Sequence, residues 1–153
     1  MVIIMEVVNH ECYVSLEVAK LLKEAGFNWK CEYAYMPSTE MGNVPFKHFH
    51  NRTNYNELQY EIYSAPTLDV AQRWLREVKG WILETHYFGE EFFGDDEVDI
   101  ESDLLRKYPN KSFYMCYGYF ENCMYIEEDG NTYEDSLEAG IKKCLELILK
   151  ENK

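Results

Sequence analysis

The chain is 153 residues long, 46% hydrophobic and 16% aromatic, with 15 Lys+Arg against 28 Asp+Glu for a formal charge of −13. That length and apolar content describe one folded domain burying about two-thirds of its unfolded surface, and exclude a disordered acidic tail. The charge argues against a binder of nucleic-acid backbone or of anionic lipid, both of which need cationic surface.

The apolar start, Met1 to Val8, lacks the cationic leader and small-residue cleavage site of a secretory signal, and no apolar run approaches the roughly 18 residues of a membrane span. A cytoplasmic protein is expected. The first helix follows Ser15, an N-cap residue, and carries Val18, Leu21, Leu22 and Ala25 at helical spacing up to Gly26. Cys31 to Met36 reads as a short aromatic strand, and Leu58 to Tyr63 as a weaker one with Leu58, Tyr60 and Ile62 on one face. The second helix follows Thr67; Leu68, Ala71, Trp74, Leu75 and Val78 form its stripe and Gly80 closes it.

Trp81 to Phe88 then reads as a strand. Residues 89–111 form an acidic loop, with one helical turn over Asp103 to Tyr108 ended by Pro109. Ser112 to Phe120 and Cys123 to Glu127 form a hairpin turning at Glu121-Asn122, or else one bulged strand, because that pair lacks the glycine of favoured tight turns. The third helix opens with a capping box, Thr132-Tyr-Glu-Asp135, and places Leu137, Ile141, Cys144, Leu145 and Ile148 on one face. The expected architecture is a single α+β domain over residues 1–153. It has a mainly antiparallel sheet of about four to five strands, with three helices packed on one face.

Motifs that would assign chemistry are sparse. The five cysteines (12, 31, 116, 123 and 144) are irregularly spaced without a Cys-x-x-Cys, so free thiols are expected and a zinc ribbon is not. No glycine-rich phosphate cradle or nucleophile elbow is present, and no cofactor is expected. In Lys47-His-Phe-His50 an extended backbone would point His48 and His50 to one side, where Glu57, Glu61 or a cysteine would have to complete a metal site; otherwise both are surface histidines. Glu84 and His86 share one strand face, either as a carboxylate-oriented general base or as plain solvent-facing residues. The run Asp95 to Asp103, which includes Asp96, Glu97 and Asp99, has carboxylates at alternate positions as a calcium loop might, but without the turn glycine and spacing of an EF-hand it reads as a solvated loop.

Two surfaces suit partners. Arg73, Arg76 and Lys79, with Gln72, form a cationic strip opposite Trp74 and Leu75, either docking an acidic group or simply facing water. Tyr33, Tyr35, Tyr114, Tyr117, Tyr119 and Tyr125 crowd the predicted sheet, and tyrosine buries large area at little rotamer cost. That density predicts a homodimer or another protein contact through the sheet. The charge is also uneven. Residues 84–103 hold nine acids and residues 121–138 seven, neither with any Lys or Arg.

Three segments carry a resemblance: Cys12-Tyr-Val-Ser-Leu-Glu-Val-Ala-Lys-Leu-Leu-Lys-Glu-Ala-Gly-Phe27, Ser64-Ala-Pro-Thr-Leu-Asp-Val-Ala-Gln-Arg-Trp-Leu-Arg-Glu-Val-Lys-Gly80 and Thr132-Tyr-Glu-Asp-Ser-Leu-Glu-Ala-Gly-Ile-Lys-Lys-Cys-Leu-Glu-Leu-Ile148. Together, over roughly a third of the chain, they resemble a group of small proteins encoded by phages, prophages and mobile elements of gut anaerobes. That group has no assigned activity. The resemblance therefore implies a phage-type accessory protein and supplies no catalytic residues. The leading expectation is a non-enzymatic protein acting through protein–protein interaction, without direct nucleic-acid or membrane contact. The alternatives are an acidic nucleic-acid mimic blocking a DNA-binding host protein, and an enzyme or metal-binding protein using Glu84/His86 or His48/His50.

Overall fold

A computed structural model describes residues 12–40, 42–93 and 99–152. In chain order the elements are α1 (Leu16–Glu24), β1 (Ala34–Tyr35), β2 (Tyr63–Ser64), α2 (Leu68–Lys79), β3 (Trp81–Phe88), α3 (Glu90–Phe93), α4 (Asp99–Lys107), β4 (Phe113–Phe120), β5 (Cys123–Gly130) and α5 (Tyr133–Glu151). The three helices read from the pattern start at their assigned caps. Ser15 Oγ accepts from the Val18 N–H at 3.3 Å, Thr67 Oγ1 from Val70 at 3.3 Å and Thr132 Oγ1 from Asp135 at 3.0 Å. Each such bond satisfies an orphan donor of the first turn, worth about 1 kcal/mol. Gly26 (φ 94°) and Gly80 (φ 76°) follow α1 and α2 in the left-handed region that a glycine enters without strain.

The chain divides into two units: the described residues of Met1–Trp74 with Leu145–Lys153, and those of Leu75–Cys144. It passes between them within α2 and returns within α5.

In the first unit the sheet is minimal. β1 and β2 pair antiparallel through Ala34↔Ser64 and Tyr35↔Tyr63, and isolated bridges join Cys31 to Thr53 and Ala34 to Phe46. The two strands expected over 31–36 and 58–63 shrink to two residues each because side chains take over the backbone's hydrogen bonding. Asn56 donates from Nδ2 to the Phe27 carbonyl and accepts from the Ser64 N–H, both at 2.9 Å. The Tyr55 hydroxyl donates to the Glu32 carbonyl at 3.1 Å, and that of Tyr35 to Val14 at 2.6 Å. Leu58, Tyr60 and Ile62 share no strand face; Ile62 is buried while Tyr60 is exposed. Val18, Ala19 and Leu22 of α1 are buried, and Phe27 meets Trp74 edge-on with centroids 5.4 Å apart. Val78, expected in the α2 stripe, is 52% exposed; the buried stripe stops one turn before the helix does.

The second unit holds the three-stranded antiparallel sheet, ordered β3-β4-β5. The hairpin forms without glycine: Glu121 (φ 50°) and Asn122 (φ 67°) both occupy the left-handed region, as a two-residue type I′ loop demands. A bulge forms as well. Gly118 opposes Ile126 while Tyr119 opposes Met124, so Tyr125 is the extra residue. The acidic stretch over 89–111 is not only loop, since it contains α3 and α4. Their Phe93, Leu104 and Leu105 join Tyr108 in a cluster against Phe88, Phe113 and Met115. Gly140 of α5 approaches Cys116, which alternation places on the other face of β4. Helical segments thus cover both faces of this sheet, where packing on one face was expected.

At Gly140 an added β-carbon would overlap the Cys116 sulfur. Alanine raises helix propensity by about 1 kcal/mol over glycine. Gly140→Ala should nevertheless lower stability in urea unfolding, by about 1–3 kcal/mol for overpacking; an unchanged or raised midpoint would contradict the close approach.

Candidate functional site

Strand alternation sorts the second unit's side chains onto two faces. Trp81, Leu83, Cys116 and Ile126 take one face and are buried. The other face is built of rows in register: Ile82–Tyr119–Met124, then Glu84–Tyr117–Glu127, then His86–Met115–Asp129, with Phe88–Phe113 closing the end. The α3–α4 cluster covers that closing end. Asp129 ties the cover down, accepting from the Tyr108 hydroxyl and pairing with the Lys107 Nζ at 2.5 Å.

The opposite end of the same face is open. Ile82 and Met124 are each 47% exposed, Glu84 and Glu127 are exposed, and Tyr117 and Tyr119 are partly buried. A shallow depression runs from Gly80, Ile82 and Glu84 across Tyr119 and Phe120 to Glu121 and Asn122 in the turn. The three strands and this turn contain no Lys or Arg. Partial burial, then the neighbouring Glu127 carboxylate, raise the Tyr117 phenol above its usual pKa.

This face gathers some of the residues singled out from sequence and separates others. Tyr117 and Tyr119 stand together, whereas Tyr114 lies on the opposite face, its ring 5.3 Å from Tyr87 and 6.3 Å from Tyr133. Tyr33 and Tyr35 belong to the first unit, with Tyr35 buried and Tyr33 edge-on to Tyr13 at 5.0 Å. Glu84 and His86 meet at 3.5 Å, but each side chain is 53% exposed and the pair stands in water. Arg73 lays its guanidinium over Trp29 at 5.0 Å, and Arg76 is exposed. His48 is partly buried with its ring 6.0 Å from both Phe46 and Tyr55, and His50 is exposed. Among the described residues no three His, Cys, Asp or Glu are placed to hold a metal ion. Asp99 opens α4, while Asp95, Asp96 and Glu97, like Met1 to Val8, lie outside the described residues.

Sequence reasoning missed Ile82, Met124, Glu121 and Glu127 as parts of the surface. Alternation from Glu84 would have flagged Ile82. Met124 and Glu127 are three residues apart, and only the bulge at Tyr125 brings them to one face.

The thiols divide by burial. Cys12 and Cys123 are exposed. Burial, opposed by Arg52, pushes the Cys31 thiol up to about 12, and burial pushes Cys116 up to about 11 and Cys144 upward as well. No described helix is long and apolar enough to cross a membrane. No protein-family model, curated protein or solved structure matches the chain.

Two measurements check this geometry. A thiol reagent at neutral pH should label Cys12 and Cys123 in the native protein and reach Cys31, Cys116 and Cys144 only after denaturation; fast labelling of all five would contradict the buried placement. For Asp129, burial opposes ionisation, but the hydrogen bonds from Lys107 and Tyr108 outweigh it and hold the carboxyl below its ordinary 3.8. A depressed folded pKa contributes stability above the unfolded value that is lost as pH falls through the folded one. Asp129→Asn should therefore cost about 1–2 kcal/mol at pH 7, the worth of charged hydrogen bonds. The gap to wild type should close on acidification below about pH 4; a gap independent of pH would remove the ionic tie.

Proposed function

We propose that this chain is a non-enzymatic accessory protein of phage or mobile-element type, acting in the cytoplasm through protein–protein contact. The contact surface is the open end of the three-stranded sheet. One observation carries the reading. Ile82, Tyr117, Tyr119 and Met124 occupy adjacent rows of a face that α3 and α4 cover at its other end but leave bare here. Tyrosine and methionine beside an exposed isoleucine match the composition of interface cores. Five free cysteines suit a reducing compartment. The resemblance of the helical segments to phage-borne proteins supports the biological setting.

The mimic reading has one observation in its favour: Glu84 and Glu127, from the two acidic segments, flank Tyr117 on one face. Against it, Asp129 is engaged by Lys107 and tyrosines interrupt the carboxylates, so the described acids form no continuous stripe.

Ile82→Asp and Tyr119→Ala test the interaction reading directly. Both should keep the wild-type circular dichroism and lose the protein that co-purifies with the tagged chain, or the dimer mass in light scattering if the partner is a second copy. Retention of the partner by both folded variants would move the function to another surface. Displacement of that partner by duplex DNA, in a salt-dependent manner, would favour the mimic instead.

A further inference from the structure

We infer that the open sheet face receives an arginine- or lysine-bearing segment of a partner polypeptide; this rests on the interaction role proposed above and names its occupant. Charge complementarity joined to shape identifies the occupant. Glu84 and Glu127 stand one strand to either side of Tyr117, which separates their backbones by about 10 Å at ordinary strand spacing. Glu121 borders the depression from the turn, and Ile82 and Tyr119 form its floor. The surface therefore alternates carboxylates with phenol rings and aliphatic groups; the three strands carry no Lys or Arg, and the basic group beside Glu84 is the His86 imidazole at 3.5 Å.

An arginine or lysine side chain has the matching anatomy. Its methylene stem covers Ile82 and the face of Tyr119, while its charged head reaches Glu84, Glu121 or Glu127. Arginine fits more fully, since a planar guanidinium stacks on an aromatic ring and donates to a carboxylate at the same time. A second copy docking the same face is disfavoured by the same charges. A twofold contact would bring Glu84 and Glu127 towards the same carboxylates of the second copy, with no Lys or Arg of the three strands to pair them. Nucleic acid would meet the same repulsion.

The test uses two short peptides of equal length, one with arginines spaced among small apolar residues and the other with glutamates at those positions, titrated into the full chain by NMR. The arginine peptide should shift the amides of Ile82, Glu84, Tyr117, Tyr119 and Glu127 and bind about tenfold more weakly at about 500 mM than at about 50 mM salt. The double variant Glu84→Gln/Glu127→Gln should keep the fold and weaken binding about tenfold. Equal binding of the glutamate peptide, shifts that map elsewhere, an unaffected double variant, or no binding at all would each overturn the cationic occupant. A salt-resistant dimer abolished by Ile82→Asp would also overturn it while leaving the face as an interaction surface. A natural partner retained by both Ile82→Asp and Tyr119→Ala would remove the interaction reading itself.

Discussion

The second unit depends on the pairing of β4 along both of its edges. β4 is the central strand of its sheet, and the register with β3 on one side and β5 on the other decides which face each side chain takes. A one-residue slip of β3 against β4 would turn Leu83 outward and bring Glu84 to the buried face beside Cys116. Burying the Glu84 carboxylate carries a desolvation cost of several kcal/mol, so the buried face holds the register in place. Gly118 adds a steric condition, because Ile126 stands where a β-carbon would go.

Once the register is set, the acidic charge acquires two distinct roles. Asp129 is used internally, as the acceptor that fastens Lys107 and Tyr108 over one end of the sheet. Glu84 and Glu127 are left facing water around Tyr117. The difference follows from position in the rows. The row containing Asp129 lies next to the Phe88–Phe113 pair, where aromatic residues of α3 and the stretch after it pack. The row containing Glu84 and Glu127 lies beyond that cover. A net charge of −13 thus supplies both an intramolecular tie and an open electronegative patch.

What could be read from the chain follows the range of the interactions involved. The caps of α1, α2 and α5 and the span of β3 were legible because a cap bonds to a backbone N–H three residues away, and because an eight-residue aromatic and β-branched run has few alternatives. The first unit's strands were not legible in length, since Asn56 replaces ladder bonds by reaching Phe27, 29 residues away, and Ser64, eight residues away. The helices within the acidic stretch were obscured by its charge. Phe93, Leu104 and Leu105 carry that segment's packing, and their partners come from β3, β4 and Tyr108. The glycine-free turn at Glu121-Asn122 was open to two readings because its local strain is offset by the strand pairing that follows.

The sequence by itself determined the α+β class, the capped helices, the antiparallel hairpin strands as segments, and the concentration of acids in the second half. These depend on composition and on neighbours within a few residues. Only the tertiary structure decided that Tyr117 and Tyr119 share a face while Tyr114 does not join them, that the bulge turns Met124 and Glu127 to the same side, and that Asp129 is spent on a tie while Glu84 remains open. Those outcomes depend on register and on which end of a sheet a distant segment covers, and both are set by packing between residues that the chain keeps far apart.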